Sequence, residues 1–425
     1  MKIGITCYPT YGGSGAVATE LGLQLAARGH EVHFVSYAQP FRLTGFQEGV
    51  FFHEVEMAHY PLFEYPPYSL ALAVRLHEIA VNEELDLLHV HYAIPHATSG
   101  WIARETMRAE GRDLKIVTTL HGTDITLVGQ DPSFWSITKF SIERSDGLTA
   151  VSEYLRDETY HKFMCPSCDI RVIPNFIDPE VYRREAHDCK RELLAAPDEK
   201  LVMHISNFRP VKRVTDVVGI FEGIQRQLPA RLLLIGDGPD RPAAEEAVAR
   251  AGLQEEVTFL GKLEFVAGLL ACADLFLLPS EQESFGLVAL EAMASGVPVV
   301  GTTGSGISEV VESGVTGYLH AVGDVAAMAA SGVELLRDDA VWEQTSKAAR
   351  QRAVEMFSAD RIVPMYEDYY EEVLRGAALV QDGHEHVSRP PGPRPEAAPA
   401  SGPASSTEPP AANAANTAPA SEGSG

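Results

Sequence analysis

Short, continuous apolar runs recur along the chain, and stretches with helical spacing lie between them. In the first half, Ile3–Cys7, Glu31–Ser36, Asp86–His91, Lys115–Leu120 and Gly147–Val151 read as strands. Ala16–Arg28, Leu70–Asn82, Ala97–Glu110 and Ser133–Ser145 read as helices, the first stopped by Gly29. The second half repeats the alternation with strands at Leu201–Ser206, Arg231–Ile235, Val257–Leu260, Leu275–Leu278 and Pro298–Gly301. The runs are continuous rather than alternating, as strands covered on both faces require. Strand–helix units of this length build parallel sheets with helices on each side. The fold class is therefore α/β, with two doubly wound, Rossmann-like domains and a cleft between them.

Two prolines interrupt regular structure in Ile173-Pro-Asn-Phe-Ile-Asp-Pro179. This sets the first domain at residues 1–175 and the second at 176–360. A further helical pattern begins at Arg361 and ends near Leu379, forming a terminal segment over 361–380. From Gly383 the composition collapses to Pro, Ala, Ser, Gly and Glu. Such a stretch cannot offset the entropy of ordering, so residues 383–425 are predicted to be a disordered tail.

Composition narrows the function classes. The net charge of −25 argues against nucleic acid and anionic membrane as partners, because both need basic patches. No apolar run approaches the roughly 18 residues of a membrane span. No signal-peptide core precedes the first strand, so cytoplasm is the expected location. Five cysteines, an odd number, argue against a disulfide framework. Cys165-Pro-Ser-Cys168 has half the spacing of a zinc ribbon and reads as a loop with two free thiols. No metal ligand set and no cofactor motif is predicted.

Candidate chemistry gathers where strands end. Thr10-Tyr-Gly-Gly-Ser-Gly15 joins the first strand to the first helix, the phosphate position of a doubly wound sheet. Its spacing matches neither a dinucleotide fingerprint nor a Walker loop, and a plain tight turn stays open. Arg209, Lys212 and Arg213 follow the strand at Leu201–Ser206. Cations at a helix start oppose the helix dipole, which favours a role at an anion over a solvated surface. Glu283 and Glu291 flank Ser-Phe-Gly and a helix start. With Ser284 as the cap, amides from Phe285 to Val288 would face a ligand. The acids would then lie about 12 Å apart along the axis and about 80° around it. That suits hydroxyls at two ends of an extended ligand with phosphates between them, as in a nucleotide sugar. Solvated surface acids remain the alternative.

Glu283-x7-Glu291, with Ser-Phe-Gly after the first acid and Glu-Ala-Met-Ala-x-Gly-x-Pro around the second, resembles the retaining GT-B glycosyltransferases over roughly residues 1–375. Cys7–Gly22, His89–His96, Thr118–Thr126 and Ser206–Arg213 resemble the branch of that family serving bacillithiol biosynthesis. The resemblance implies transfer of N-acetylglucosamine from UDP-N-acetylglucosamine to L-malate, with the α configuration retained. It implies that Gly13 meets the diphosphate, and that Lys212, with Arg209 and Asn207, neutralises leaving UDP. It implies donor contacts from Glu283, Phe285, Gly286 and Leu287, ribose contacts from Glu291, uracil near Leu263, and His121 near the sugar C6 hydroxyl. Ser14, Tyr92 and Arg144 are the candidates for the malate carboxylates, Arg144 because its guanidinium fork matches a carboxylate. The terminal helix is implied to cross back onto the first domain. Ser305 stands where the family usually has glycine. Because the acids are assigned to hydroxyls, front-face attack without a covalent intermediate and without a metal is expected. A different acceptor, a 2-epimerase of similar shape and a non-catalytic nucleotide binder are the rival readings. The sequence leaves the oligomeric state open, a homo-oligomer included.

Overall fold

The structure is a computed structural model that describes residues 1–9, 12–57, 67–166, 168–187 and 189–376. The expected tail at 383–425, and the end of the last helical pattern at Leu379, lie outside the described residues.

Among the described residues, thirteen strands form two parallel sheets. The first holds β1 (Lys2–Thr6), β2 (Glu31–Ser36), β3 (Val50–Glu54), β4 (Leu87–His91), β5 (Lys115–Leu120), β6 (Gly147–Ala150) and β7 (Ile170–Val172). The second holds β8 (Lys200–Ile205), β9 (Ala230–Ile235), β10 (Val257–Gly261), β11 (Leu275–Leu278), β12 (Val299–Thr302) and β13 (Gly317–His320). Helices α1 (Gly13–Ala27), α2 (Tyr68–Asn82), α3 (Thr98–Ala109), α4 (Thr123–Thr126), α5 (Trp135–Glu143) and α6 (Glu153–Phe163) accompany the first sheet. With the second go α7 (Val214–Gln225), α8 (Arg241–Ala251), α9 (Ala267–Leu270), α10 (Leu287–Ala294), α11 (Ile307–Val310), α12 (Val325–Arg337) and α13 (Asp339–Phe357). The chain's last described helix is α14 (Ala359–Leu374).

Strand order is β3-β2-β1-β4-β5-β6-β7 in one sheet and β10-β9-β8-β11-β12-β13 in the other. In each sheet the winding reverses once, between β1 and β4 and between β8 and β11. Doubly wound sheets open a crevice at that reversal, beyond the carboxyl ends of the strands. The central strands are buried on both faces: every residue of β4, β11 and β12 is buried. Three strands have no counterpart in the sequence pattern: β3, β7 and β13. All are edge strands, short or half-exposed, and so lack the continuous apolar run that marks a central strand.

The chain passes between the sheets twice, and the two passages touch. Ile177 donates its amide to Phe357 O at 2.9 Å, and Ala359 donates to Ile177 O at 2.9 Å. Beyond this pair α14 lies on the first sheet. Ile362, Val363, Tyr366, Tyr369, Tyr370 and Val373 share a core with Ile3, Ile5, Leu21 and Phe34. At about 1.5–3 kcal/mol for each large side chain removed from water, this face holds the helix firmly. Tyr369 OH sits 2.8 Å from the Leu148 amide and 3.1 Å from its carbonyl, and Arg171 grips Glu372 through both nitrogens of its fork.

The cysteines correct the expectation of free thiols. Cys165 pairs with Cys168, and Cys189 with Cys272, each at a Cα–Cα distance of 5.5 Å. Cys7 alone is free, and burial pushes its thiol up to about 12. An odd count predicts one unpaired cysteine but says nothing of the other four. Cys189 and Cys272 stand 83 residues apart and meet only because the connecting chain packs on the second sheet.

Candidate functional site

The loops that leave the two winding reversals face each other. Gly13 and Ser14 open α1 after β1, and Tyr92 follows β4. Asn207, Arg209 and Lys212 follow β8, and Glu283 to Leu287 follow β11. A Cβ placed on Gly13 would come within 3.9 Å of Leu287 Cδ2, so the first turns of α1 and α10 adjoin. Both helices direct free amides and the positive end of their dipoles into the same region.

Ser284 does not cap α10, contrary to the expectation from sequence. The N-cap is Gly286, at φ 92°, and no side chain caps the helix. Ala289 and Leu290 both bond to Gly286 O, which leaves the Leu287 and Val288 amides at the mouth. Ser284 is instead a contact between the two halves. Its carbonyl accepts from Ser152 Oγ at 2.5 Å, and its Oγ would lie 1.6 Å from a Cβ on Gly122. With φ at +117°, Gly122 needs its missing side chain twice over. The Phe285 ring is core, edge-on to Phe357 at 5.6 Å, so a role at a ligand falls to its main chain.

Lys212 Nζ lies 2.6 Å from Glu283 Oε1. The Glu283 amide is 3.3 Å from Ser305 Oγ, so the departure from glycine at 305 supplies an acceptor to the loop it faces. Arg213 turns away toward Asp216 at 2.7 Å. Asn207 and Arg209 are exposed, and Leu263 is half-buried just past the end of β10. Glu291 is buried at 3% exposure, which removes the surface-acid alternative. Its Oε1 accepts from Tyr182 OH at 2.7 Å and from Arg42 Nη2 at 3.1 Å. Arg42 comes from the loop after β2 and also faces Glu20 at 3.5 Å. Sequence spacing gave no signal for either partner.

On the first sheet, His89, His91, His96 and His121 sit behind the mouth. His121 Nε2 is 2.8 Å from His91 Nδ1, and His96 Nδ1 is 2.5 Å from His91 O. Burial pushes His121 down to about 3 and His96 to about 4, so both rings are neutral. His121 also lies beside the Tyr92 ring, with centroids 5.4 Å apart. Burial and the charge of Asp124 raise the Tyr92 hydroxyl above its ordinary value, and Ser14, Thr123 and, from the other half, Arg209 work against them. Asp124 is a functional candidate that sequence reasoning passed over, although it lies within a quoted motif. Its carboxylate accepts the amides of Ala93, Gly122 and His121, at 3.0, 2.9 and 3.3 Å. It thereby pins the loops after β4 and β5 to each other. Burial lifts it to about 6 despite those bonds.

Arg144 is not brought to this site. It is the C-cap of α5, three residues before β6 begins, where the Asp146 amide bonds to Ile116 O near the start of β5. A residue just before a parallel strand stands at the amino edge of the sheet, and ligands bind at the opposite edge. Its guanidinium lies over Phe140 at 5.5 Å.

The chain matches the family model for glycosyl transferases group 1 over residues 199–338 and that for Glycosyltransferase Family 4 over residues 11–181. It is 50% identical over 376 residues to the N-acetyl-alpha-D-glucosaminyl L-malate synthase of Bacillus anthracis, covering 88% of this chain and 98% of that protein. The chain belongs to the GT-B glycosyltransferases. A more distant relative of this glycosyltransferase is the phosphatidyl-myo-inositol mannosyltransferase of Mycobacterium leprae, 28% identical over 393 residues, 90% of this chain and 99% of that one. The transferase shares its fold with sucrose-phosphate synthase from Thermosynechococcus elongatus, at TM-score 0.72, 22% identity and coverage of 88% and 99%. It shares it equally with Anabaena HepE, solved in complex with UDP and glucose, at TM-score 0.70, 21% identity and coverage of 87% and 99%. Among the described residues no helix is long and apolar enough to cross a membrane.

Proposed function

We propose that this hexosyltransferase moves N-acetylglucosamine from UDP-N-acetylglucosamine to the hydroxyl of L-malate with retention, as a cytoplasmic enzyme. The observation that carries this is the 50% identity to a protein named for that product, along 98% of its length. The geometry is consistent with it. A diphosphate between the first turns of α1 and α10 would receive amides from both and the charge of Lys212. That is a preorganised field for the negative charge that develops on leaving UDP. Glu291 would take the ribose hydroxyls, exchanging its bonds to Arg42 or Tyr182 for them. Glu283, Gly286 and Leu287 would hold the sugar, with uracil near Leu263.

For the acceptor, Ser14 and Tyr92 keep their assignment. Arg209 takes the place given to Arg144, because it is the guanidinium that shares the field of Tyr92. His121 is neutral and oriented by His91 and would contact the sugar. The malate hydroxyl would attack the same face that UDP leaves, with a phosphate oxygen taking its proton. Lys212 and the helix amides supply charge stabilisation that needs no metal in this scheme.

The test is mass spectrometry of the product from UDP-N-acetylglucosamine and a panel of hydroxy acids, with and without exhaustive chelation. The expected product is the α-linked N-acetylglucosaminyl malate, formed at an unchanged rate after chelation. Preference for another acceptor, sugar release without an acceptor, or loss of activity restored by Mg²⁺ would each overturn the corresponding part.

A further inference from the structure

The outer part of the first sheet carries a cluster that the site at the strand ends does not use. His33 of β2, His53 of β3 and Glu83, which follows α2, bring one donor atom each to within 4.8 Å of one another. The parallel register of β2 and β3 pairs His33 with Phe51 and so sets His33 and His53 on the same face, two residues out of step. Glu83 arrives from the end of α2, where its carbonyl accepts from Lys2 Nζ at 2.9 Å.

His33 is only 1% exposed, and its ring is fully engaged. Its Nε2 is 3.0 Å from Glu31 Oε1, and Lys2 Nζ is 3.3 Å from that same oxygen. A carboxylate can only accept, so the proton of His33 belongs on Nε2 and the lone pair on Nδ1. That lone pair points at His53 Nε2, 2.9 Å away. The two rings stack at 5.2 Å with 13° between their planes, and Phe51 stacks on His33 from 4.9 Å. Histidines that bind metals commonly donate their other N–H to a carboxylate, which sets tautomer and orientation. His33 already has that arrangement. Burial, His33 and Arg75 hold His53 below its ordinary value, and Glu83 works against them.

We propose that His33, His53 and Glu83 form a binding site for a divalent transition-metal ion of the zinc type, with water completing the coordination. Two imidazoles and one carboxylate are a donor set for that class, whereas magnesium and calcium prefer oxygen throughout. Binding requires His53 to move its proton to Nδ1 and the two rings to part slightly. Arg75 and Lys2 oppose the ion, and Glu31 and Glu83 balance them. Glu31 and Glu83 stand at the amino edge of the sheet, so the ion ties β2, β3 and α2 together and takes no part in the transfer.

The experiment is titration of the untagged full-length protein with Co²⁺ and then Zn²⁺, read by visible absorption and calorimetry. One equivalent of Co²⁺ with visible ligand-field bands, displaced by Zn²⁺, is expected. His53→Gln and Glu83→Gln should weaken uptake about tenfold or more, and Glu31→Gln by about 10–100-fold through loss of the orienting carboxylate. His33 is too buried for a clean variant, and its half-buried partners His53 and Glu83 serve instead. Absence of saturable uptake, or uptake undiminished in His53→Gln and Glu83→Gln, overturns the site and leaves a hydrogen-bonded histidine pair. Neither result depends on the identity of the acceptor.

Discussion

Lys212 Nζ and Glu283 Oε1 stand 2.6 Å apart, so a cation after β8 and an acid after β11 form one ion pair at the site. Both side chains are shielded, at 21% and 10% exposure, and neither can be removed without leaving its partner poorly compensated. Lys212→Ala should lower kcat about 10²–10³-fold, the loss typical of one preorganised charge contact. Glu283→Gln should also lower it, and the double variant should lose less than the product of the two, because the groups act as a unit. Initial rates of UDP release measure all three. Near-normal turnover of Lys212→Ala would remove Lys212 from the reaction.

Gly122→Ala tests the contact between the halves. The added methyl meets Ser284 Oγ at 1.6 Å and must adopt φ +117°. Both Tm and kcat should fall. Adding Ser284→Gly relieves the clash but not the backbone strain, so it should restore part of each. A Gly122→Ala enzyme with unchanged Tm would show that the two loops do not approach this closely.

Tyr370→Phe tests how α14 is held. Tyr370 OH is 2.7 Å from His89 Nδ1, and His89 Nε2 is 2.7 Å from Thr119 Oγ1. All three residues are buried, so losing the hydroxyl strands a ring nitrogen away from water. The expected cost is about 1–3 kcal/mol in a urea titration. A variant as stable as the parent would mean the bond is not formed in solution.

Acid should unfold the protein early. Burial holds His89 and His121 down to about 3 and His96 and His204 to about 4, with His91 well below the ordinary 6.5. Below pH 6.5 the unfolded chain binds protons that the fold refuses, so stability falls as pH drops. Asp124 acts in the opposite sense. Its pKa is about 6 in the fold against 3.8, so the fold holds that proton more tightly and gains stability as pH falls through this range. Five histidines outweigh one carboxylate, each worth at most about 1.4 kcal/mol per pH unit. Unfolding free energy should therefore decline steeply from pH 6.5 toward pH 4.5. His204→Asn should make the slope shallower, and Asp124→Asn should make it steeper. Stability that stays level over that range would contradict the buried neutral rings.

The parts of the site that sequence exposed are those tied to strand ends. Continuous apolar runs locate β1, β8 and β11, and whatever follows them falls at the ligand edge. Gly13, Lys212 and Glu283 were proposed in that way, and the structure puts them after β1, β8 and β11. Arg144 was chosen for its chemistry instead, and its position before β6 puts it at the wrong edge. Ser284 has good capping chemistry, but its carbonyl and hydroxyl are taken up by Ser152 and the approach to Gly122, so the cap passes to Gly286. The partners of Glu291 were invisible because Arg42 is 249 residues away and Tyr182 is 109.

The sequence by itself determined the parallel α/β architecture and the edge of each sheet that carries chemistry. Both follow from local periodicity, which depends only on which faces a segment must bury. The tertiary structure alone decided which side chains meet: Arg42 with Glu291, His91 with His121, and Cys189 with Cys272. Those pairings come from segments far apart along the chain, and their distances are set by how whole layers pack, which no local pattern encodes.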